Sequence, residues 1–476
     1  LGFHNPAGFT WLLQVTTLFT PDPRWAAAWL GLVGLSGLYP IYRMARRNLP
    51  GFAWLIPCIL YVFLPAMVFA GRAIWPQNIM PAFGAWGLMG LADALDGRHV
   101  ARHRWRGALL AMCVLSYAPL VHLSGVACLG LGMSVIGWLV FAQQIPRLKA
   151  AWLILPTVLA GAAMLPSLMD WNDQRLHPPK EKPAHIAHFE ALMPPPKNLS
   201  GRMADSLGGL FDSFNSRGAS SGIVDNLKMF PATVASQVAD VLAVILVIAG
   251  MTMAALLLMR ARRQTNTGNP DLTRFAGLLM AWIFVPILLA PLFLQRVNST
   301  YFAYILPAVL LLAGLAADGI QRSIRRWPAL IQEYCPMGIC SVVAALYAVY
   351  MAGCLNSLNT EKYVKGIYYI PLAEQKALVR RLAAGGVAAG RFYHLSGEWF
   401  RHPYEYLFDE MPIPTMSVSP RWAVVEDLNM RLSQTTRTRF IEQHREGIQN
   451  GVSLMEFDDE SKAREFVDTF YNLPLD

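Results

Sequence analysis

A few polar residues interrupt long apolar stretches at places where they could take part in chemistry. They are two arginines, a histidine and two tyrosines: Arg72, His122, Arg296, Tyr301 and Tyr304. A guanidinium group can donate two parallel hydrogen bonds to phosphate oxygens, and it stays charged at physiological pH. These residue types favour a site for a phosphate group. The alternative for each arginine is extension to lipid headgroups, and for the histidine a capping or packing role.

His4 and Asn5, just before Pro6, are two further candidates for substrate binding. A metal site has weaker support. His185 and His188 stand one helical turn apart, but the surrounding prolines favour a solvated loop and no carboxylate completes a ligand set. No phosphate-binding Walker motif occurs. The sequence therefore requires no cofactor, although a divalent metal stays possible.

The composition indicates a membrane protein. Of 476 residues, 54% are hydrophobic and 15% are charged, and the mean hydropathy is +0.35. Soluble domains carry about 25% charged residues, so a water-soluble enzyme is excluded. The net charge of +9 comes from short basic clusters between apolar runs. Membrane topology explains these clusters better than a nucleic acid partner does, and we predict none.

Ten apolar runs are long enough to predict membrane spans, which makes the chain an α-helical polytopic membrane protein. They lie near residues 25–44, 52–71, 77–93, 106–122, 125–142, 150–169, 238–259, 275–294, 302–319 and 337–357. With the loop after the first run in the cytoplasm, the cytoplasmic loops contain 16 basic residues. The three short outer loops contain 2, Arg72 and Arg296. This distribution follows the positive-inside rule.

This topology places several regions outside the cytoplasm: the start of the chain, the segment 171–236 and everything after about residue 358. An even number of spans with both ends outside predicts one further span before Leu1. Segment 171–236 is rich in Pro, Gly and Ser, so it predicts a long loop with short helices. It would act as a mobile cover over an outer site, or rest on the bilayer or the C-terminal domain.

Residues 358–476 predict a small extracytoplasmic α/β domain after the transmembrane domain 1–357. YIPLAEQKALVRRLAAG predicts a helix that ends at Gly385. RFYHLS, RWAVVED and the short SLMEF predict strands, and DDESKAREFVDTFYN predicts a final helix.

Four stretches resemble the polytopic glycosyltransferases of the C fold, a superfamily that includes protein O-mannosyltransferases and lipid A aminoarabinose transferases. FHNPAGFTWLL stands where that family has a Pro motif before an outer helix, and Ala45-Arg46-Arg47 matches its basic run. LVHLSG and YFAYILP match two later outer turns. The family's catalytic acidic residue precedes the Pro motif, so the resemblance places the expected base upstream of Leu1.

The resemblance implies transfer of a sugar from a polyprenyl-phosphate carrier to a lipid, glycan or protein acceptor on the outer face. His4, Asn5 and the residues of the outer turns would bind substrate. The protein would lie among the lipids of the inner (plasma) membrane, with its C-terminal domain in the periplasm. Two alternatives stay open: a non-catalytic membrane subunit or degenerate homologue, and a transporter of lipid-linked substrates.

Overall fold

The structure is a computed structural model, and its description covers most of the chain. The described residues are 7–20, 22–70, 74, 76–176, 197–212, 233–263, 270–293, 299–324, 326–359, 372–385, 387–395, 405, 407–408, 421–427, 440–441, 443–444, 447–449 and 452–473. They divide into two compact units, and the larger unit comprises residues 2–176 and 196–352.

All the regular secondary structure described in the larger unit is helical. Its helices are α1 (Ala7–Thr17), α2 (Pro23–Ser36), α3 (Leu38–Asn48), α4 (Leu55–Phe63), α5 (Pro65–Ala70), α6 (Met80–Leu95), α7 (Ala101–Val121), α8 (Gly125–Phe141), α9 (Arg147–Leu176), α10 (Leu199–Asp212), α11 (Val234–Arg263), α12 (Pro270–Phe293), α13 (Leu306–Ser323) and α14 (Ala329–Asn359). Short 3₁₀ helices, Pro76–Ile79 and Ser299–Ile305, precede α6 and α13.

Each predicted apolar run coincides with one helix or with two consecutive helices. Run 25–44 divides at Gly37 into α2 and α3, and run 52–71 divides before Pro65 into α4 and α5. Among the described residues, five helical stretches are long and apolar enough to cross a membrane: Lys149–Pro166, Val234–Arg262, Pro270–Leu292, Tyr301–Ser323 and Tyr334–Cys354. The chain is thus an integral membrane protein of the predicted helical class, and a total of about ten spans stays a prediction.

Helix α13 forms the centre of the unit, while α9 lies at its edge. In the apolar stretch of α13, 89% of the residues are buried, against 11% in that of α9. Helix α11 packs very closely on α13. A Cβ atom at Gly250 would lie 2.0 Å from the Leu312 carbonyl oxygen, so only glycine allows this approach. The exposed apolar side of α9 suits contact with lipid.

An acidic cluster of Asp93, Asp96 and Asp271 joins α6, its following turn and α12 to the basic end of α3. Arg47 binds Asp93 at 2.6 Å and also binds Asp96. Arg98 contacts Asp96 at 3.1 Å and Asp271 at 3.3 Å. These arginines were predicted only as signals of membrane orientation. The structure gives them a second role, because they neutralise carboxylates that would be costly to bury alone.

The second unit contains a four-stranded sheet with the order β1-β2-β4-β3. The strands are β1 (Val387–His394), β2 (Arg421–Asp427), β3 (Gly447–Gln449) and β4 (Val452–Phe457). Strand β1 is parallel to β2, and the other pairs are antiparallel. The predicted helices are α15 (Leu372–Ala384) and α16 (Glu460–Asn472), and α15 stops before Gly385 as expected. The sequence analysis missed only the short β3 among these elements.

Side chains alternate between the two faces of this sheet, and each face has its own core. Val425 packs with residues of α15, whereas its neighbour Val424 packs with Phe466 of α16. Leu454 and Met455 divide in the same way on β4. This period of two is the pattern expected of a strand covered on both sides. The predicted α/β fold of the C-terminal region is confirmed.

Candidate functional site

Three of the seven residues predicted to bind substrate lie in the described part of the chain: His122, Tyr301 and Tyr304. The other four lie outside the described residues: His4, Asn5, Arg72 and Arg296. Their part in the site stays a prediction.

His122 stands in the tight turn that joins α7 to α8. It follows Val121, the last residue of α7, and its extended backbone has φ −155° and ψ 138°. Its backbone N–H still donates to the Ala118 carbonyl at 2.9 Å. Gly125 begins α8 so close to α7 that a Cβ there would lie 2.5 Å from the Ala118 carbonyl carbon. The turn therefore fixes the imidazole at the ends of two packed helices.

Hydrogen bonds determine which ring nitrogen of His122 carries the proton. The Ser124 backbone N–H lies 3.2 Å from Nδ1, and the Ser124 hydroxyl oxygen lies 2.8 Å from it. A backbone N–H can only donate, so Nδ1 accepts and the neutral ring is protonated on Nε2. The Gln77 side-chain amide lies beside Nε2, with its nitrogen placed 2.9 Å away, where two donors would face each other. In this tautomer it must present its oxygen, an orientation assigned from the hydrogen-bond network.

Tyr301 completes this group from a distant part of the chain. Its ring centroid lies 5.8 Å from that of His122, with the two planes tilted by 37°. The 3₁₀ helix Ser299–Ile305, which contains Tyr301, packs on α6 and on the 3₁₀ helix that contains Gln77. We call Gln77, His122, Ser124 and Tyr301 the imidazole cluster. The sequence analysis expected His122 and Tyr301 on the same side of the membrane, and the structure brings their rings together.

Tyr304 has a different environment from Tyr301. Its ring is 2% exposed and belongs to the main core. Its carbonyl accepts the Trp282 indole N–H at 3.0 Å, and a Cβ atom at Gly84 would lie 2.2 Å from the same oxygen. Tyr304 thus anchors the segment that holds Tyr301. Its predicted contact with substrate would require a movement that exposes the ring.

Helices α2 and α3 run beside α6 in the same direction. Near the middle, the Trp86 indole donates to the Ser36 hydroxyl at 3.1 Å. Further along both segments, Arg47 binds Asp93. Asp22 is the N-cap residue just before α2. It therefore lies at the same end of the unit as the start of α6 and the imidazole cluster. The sequence analysis missed this carboxylate.

Asp22 caps α2 and is paired with Arg24. Its carboxylate accepts the Arg24 backbone N–H at 3.0 Å and the Arg24 Nε–H at 2.8 Å. An Asp before a proline commonly caps the start of a helix, so the sequence alone did not indicate a catalytic role for Asp22. The Arg24 side chain is 75% exposed, against 22% for Asp22. A carboxylate is thus present at the same end of the unit as the imidazole.

Helix α10 brings a cation to the same region. It packs on α12 and on the 3₁₀ helix that contains Tyr301. Arg202, Ser206 and Leu210 follow each other at four-residue spacing and so share one face of α10. Ser206 is 0% exposed, Leu210 is 3% exposed and Arg202 is partly buried. This part of the predicted loop 171–236 is thus a helix packed into the core, and a covering movement stays a prediction.

These groups provide the parts that phosphate and sugar chemistry need. The neutral imidazole and the tyrosine hydroxyl donate hydrogen bonds, an arginine offers positive charge, and a carboxylate accepts a proton. Among the described residues, no group of three or more His, Cys, Asp or Glu could hold a metal ion. His185 and His188 lie outside the described residues.

Comparison with solved structures identifies the fold. The chain superimposes on ArnT from Cupriavidus metallidurans in the apo state and bound to undecaprenyl phosphate. In both comparisons the TM-score is 0.54 and the identity 12%, over 95% of this chain and 88% of that chain. AglB from Archaeoglobus fulgidus, an oligosaccharyltransferase, matches with a TM-score of 0.42 and 12% identity over 88% of this chain and 53% of its own.

The sequence itself matches no protein-family model and no curated protein. At 12% identity, the structural likeness to ArnT shows the fold alone. The chain therefore has the fold of that ArnT structure, in line with the resemblance noted in its sequence.

Proposed function

We propose that the protein transfers a sugar from a polyprenyl-phosphate-linked donor to an acceptor on the outer face of the membrane. The observation that supports this function most is the position of the imidazole cluster. It lies at one end of a helical unit with the C fold, and an ArnT of this fold binds undecaprenyl phosphate. The positive-inside distribution places this end outside the cytoplasm, in the periplasm if the membrane is a bacterial inner membrane.

The proposed reaction is a displacement at the anomeric carbon of the sugar. The acceptor oxygen forms the new bond while the bond to the carrier phosphate breaks, and the phosphate leaves with the electron pair. A carboxylate takes the acceptor proton, and cationic groups stabilise the leaving phosphate. Asp22 is a described candidate for the carboxylate. Arg72, Arg296 and Arg202 are candidates for the cations.

His122 and Tyr301 would donate hydrogen bonds to phosphate or sugar oxygens. The tautomer fixed by Ser124 supports this role, because it leaves the ring proton on Nε2. With the Gln77 amide flipped as this tautomer requires, its oxygen would accept that proton, and a substrate oxygen would replace it as acceptor. His4 and Asn5 stay predicted substrate-binding residues, whereas Tyr304 would join them only after a movement that exposes its buried ring.

A binding experiment with a polyprenyl phosphate tests the assignment. The full chain in nanodiscs should bind undecaprenyl phosphate, and Arg72→Ala or Arg296→Ala should weaken binding by about tenfold, as for one lost charge-assisted contact. Lys462→Ala, in the C-terminal unit, serves as a cation control and should leave affinity unchanged. Wild-type affinity in both arginine variants would indicate that Arg72 and Arg296 contact lipid headgroups and do not bind the carrier phosphate.

Sugar transfer must then be measured separately from binding. A radiolabelled polyprenyl-phosphate sugar, incubated with membranes that contain the protein, should lose its sugar to an endogenous acceptor. Binding without any transfer would instead favour the non-catalytic homologue. Movement of the intact lipid-linked sugar across vesicles would favour the transporter.

A further inference from the structure

A long apolar groove runs along the outside of α7 and α9, from Trp105 near the start of α7 to Leu120 near its end. Its volume is about 750 Å³, within the range of about 300–1,000 Å³ that ligand sites occupy. Helix α1 closes one end of the groove. Residues that mark its course are Trp11, Trp105, Cys113, Leu120, Lys149 and Ala163.

The length and walls of the groove suit a hydrocarbon chain. From Trp105 to Leu120 the groove follows α7 for roughly 22 Å, at about 1.5 Å per residue. This is longer than one leaflet of a bilayer whose hydrocarbon core is about 30 Å thick. The polar Ser116 and Thr157 hydroxyls bond each other at 2.9 Å, so they do not disturb the apolar wall.

One end of the groove is positively charged. The Lys149 side chain is exposed, and its ammonium lies 5.8 Å from the centre of the Trp105 ring. The Trp105 indole donates to the Lys149 carbonyl at 3.4 Å, which ties α7 to α9 at this point. Within the described ranges, Lys149 has no carboxylate partner. Arg102 and Arg106 in the first turns of α7 are exposed and add to the positive charge.

We propose that this groove binds an anionic glycerophospholipid. Its phosphate would contact Lys149, and an acyl chain would lie between α7 and α9. Basic pockets between membrane helices attract anionic headgroups, and tryptophans such as Trp105 settle at headgroup depth.

The polyprenyl phosphate of the proposed reaction is a poor match for this groove. Lys149 lies beside the start of α7, whereas His122 follows its end. At about 1.5 Å per residue along α7, Trp105 and His122 are roughly 26 Å apart, which is close to the thickness of the hydrocarbon core. The two phosphate sites would thus face opposite leaflets, so the proposed headgroup site at Lys149 is separate from the proposed site of transfer.

Lipid retention by the full chain tests this inference. The protein is taken from vesicles of equal phosphatidylglycerol and phosphatidylcholine and analysed by native mass spectrometry. We expect phosphatidylglycerol to be retained in preference. Lys149→Gln should lower this preference about fivefold, the effect of one cation near an anionic surface. Arg326→Gln, an exposed cation in the turn between α13 and α14 and outside the groove, should change it much less.

A second pair of variants tests whether the acyl chain binds in the groove. Ala163→Phe fills the groove and should reduce retention of lipid, whereas Ala162→Phe on the exposed side of α9 should not. Equal retention of both lipids, an unaffected Lys149→Gln variant, or displacement of phosphatidylglycerol by undecaprenyl phosphate would overturn the proposal. So would a groove that retains no lipid because a protein segment covers it.

Discussion

His122 is constrained by three parts of the chain, and each constraint has a different effect. Ser124 fixes the protonated nitrogen, Gln77 fixes the direction of the N–H bond, and Tyr301 covers one side of the ring. A donor that is oriented before substrate arrives loses little free energy of reorganisation during reaction. The imidazole is therefore better suited to stabilising charge on a phosphate or sugar oxygen than a freely rotating side chain.

Replacing His122 tests this role. His122→Ala should lower kcat/KM for sugar transfer by about 10²-fold, a typical loss for one oriented donor. Ser134→Ala is the control, since that exposed hydroxyl bonds only the Gly130 carbonyl of its own helix. The measurement is transfer from a radiolabelled polyprenyl-phosphate sugar, with thermal unfolding to verify the fold. Wild-type kinetics in His122→Ala would remove His122 from the site.

Gly84 tests how closely the segment of Tyr304 must pack. Gly84→Ala would place a Cβ atom 2.2 Å from the Tyr304 carbonyl oxygen, so we expect a loss of about 1–3 kcal/mol in unfolding free energy. The control is Gly130→Ala, where nothing lies within 4 Å of the new Cβ. That variant should gain up to about 1 kcal/mol from helix propensity. A change in melting temperature of the same sign in both glycine variants would contradict the close packing of Gly84 against Tyr304.

Sequence patterns predicted which site residues lie on the same side of the membrane, but they did not predict which of these residues are buried. His122 and Tyr301 were expected on one side of the membrane because their turns alternate with basic loops. The same pattern included Tyr304, although its ring is buried, because a tyrosine in a short turn gives no signal of its direction. Asp22 was missed because helix capping accounts for its position.

At the scale of whole elements, the acidic cluster was the main feature that the sequence did not reveal. A run such as Asp96-Gly97-Arg98 is equally typical of a solvated loop and of a buried ion pair. Distance along the chain also concealed the pairing, since Asp271 lies on α12. Only the packed helices bring these charges to the positions that satisfy them.

Removing one carboxylate tests the contribution of this cluster. Asp93 is 8% exposed and binds Arg43 and Arg47, so Asp93→Asn leaves buried positive charge partly unpaired. We expect a loss of about 3 kcal/mol, the lower end for a broken buried pair, because Asp96 still binds Arg47. Thermal unfolding of the full chain in detergent measures it.

The matched control is Asp205→Asn, which breaks an exposed pair with Lys197. It should cost less than about 1 kcal/mol. Equal small losses in both variants would mean that the acidic cluster does not stabilise the helices.

The start of α16 predicts a pH effect in the C-terminal unit. Hydrogen bonds from the Ser461 hydroxyl and then from the Lys462 backbone N–H lower the pKa of Asp459 below its ordinary value of 3.8. Because the folded pKa is the lower one, this stabilisation is complete above pH 3.8 and is lost as pH falls through the folded value. The protection of α16 amides from hydrogen exchange in the full chain, corrected for the intrinsic exchange rate at each pH, should therefore decrease below pH 3.8.

Asp459→Asn separates this effect from general acid unfolding. Asparagine also caps a helix but does not titrate in this range. The variant should lack the component of faster exchange that arises from residue 459. Identical pH profiles for wild type and variant would show that protonation of Asp459 has no influence on α16.

For the whole molecule, topology is the property that every functional assignment depends on. A reporter that is active only outside the cytoplasm, fused after Asp476, should be active. The physical reason is the excess of basic residues in alternate loops, which holds those loops in the cytoplasm. A fusion within the turn at residues 97–100 serves as the inverse control and should be inactive. Activity of a cytoplasmic reporter after Asp476 would overturn the orientation.

The helical class, the positions of the apolar helices and the α/β C-terminal region followed from hydropathy and periodicity. These properties depend on local composition, which a single sequence contains. The break of run 25–44 at Gly37, the packing of α10 and the short β3 depend on contacts between distant residues. Periodicity does not encode such contacts, so the structure was needed to find them.

The pairing of Arg47 with Asp93 and Asp96 has a consequence for how the protein is made. During membrane insertion the helices enter in order, and α3 arrives before α6 and long before α12. Its arginines are then unneutralised and act as an orientation signal, while aspartates contribute little to that signal. Only after α6 and α12 assemble do the same charges become internal bonds. Asp93→Asn should therefore disturb late assembly and leave the orientation of the nascent chain intact.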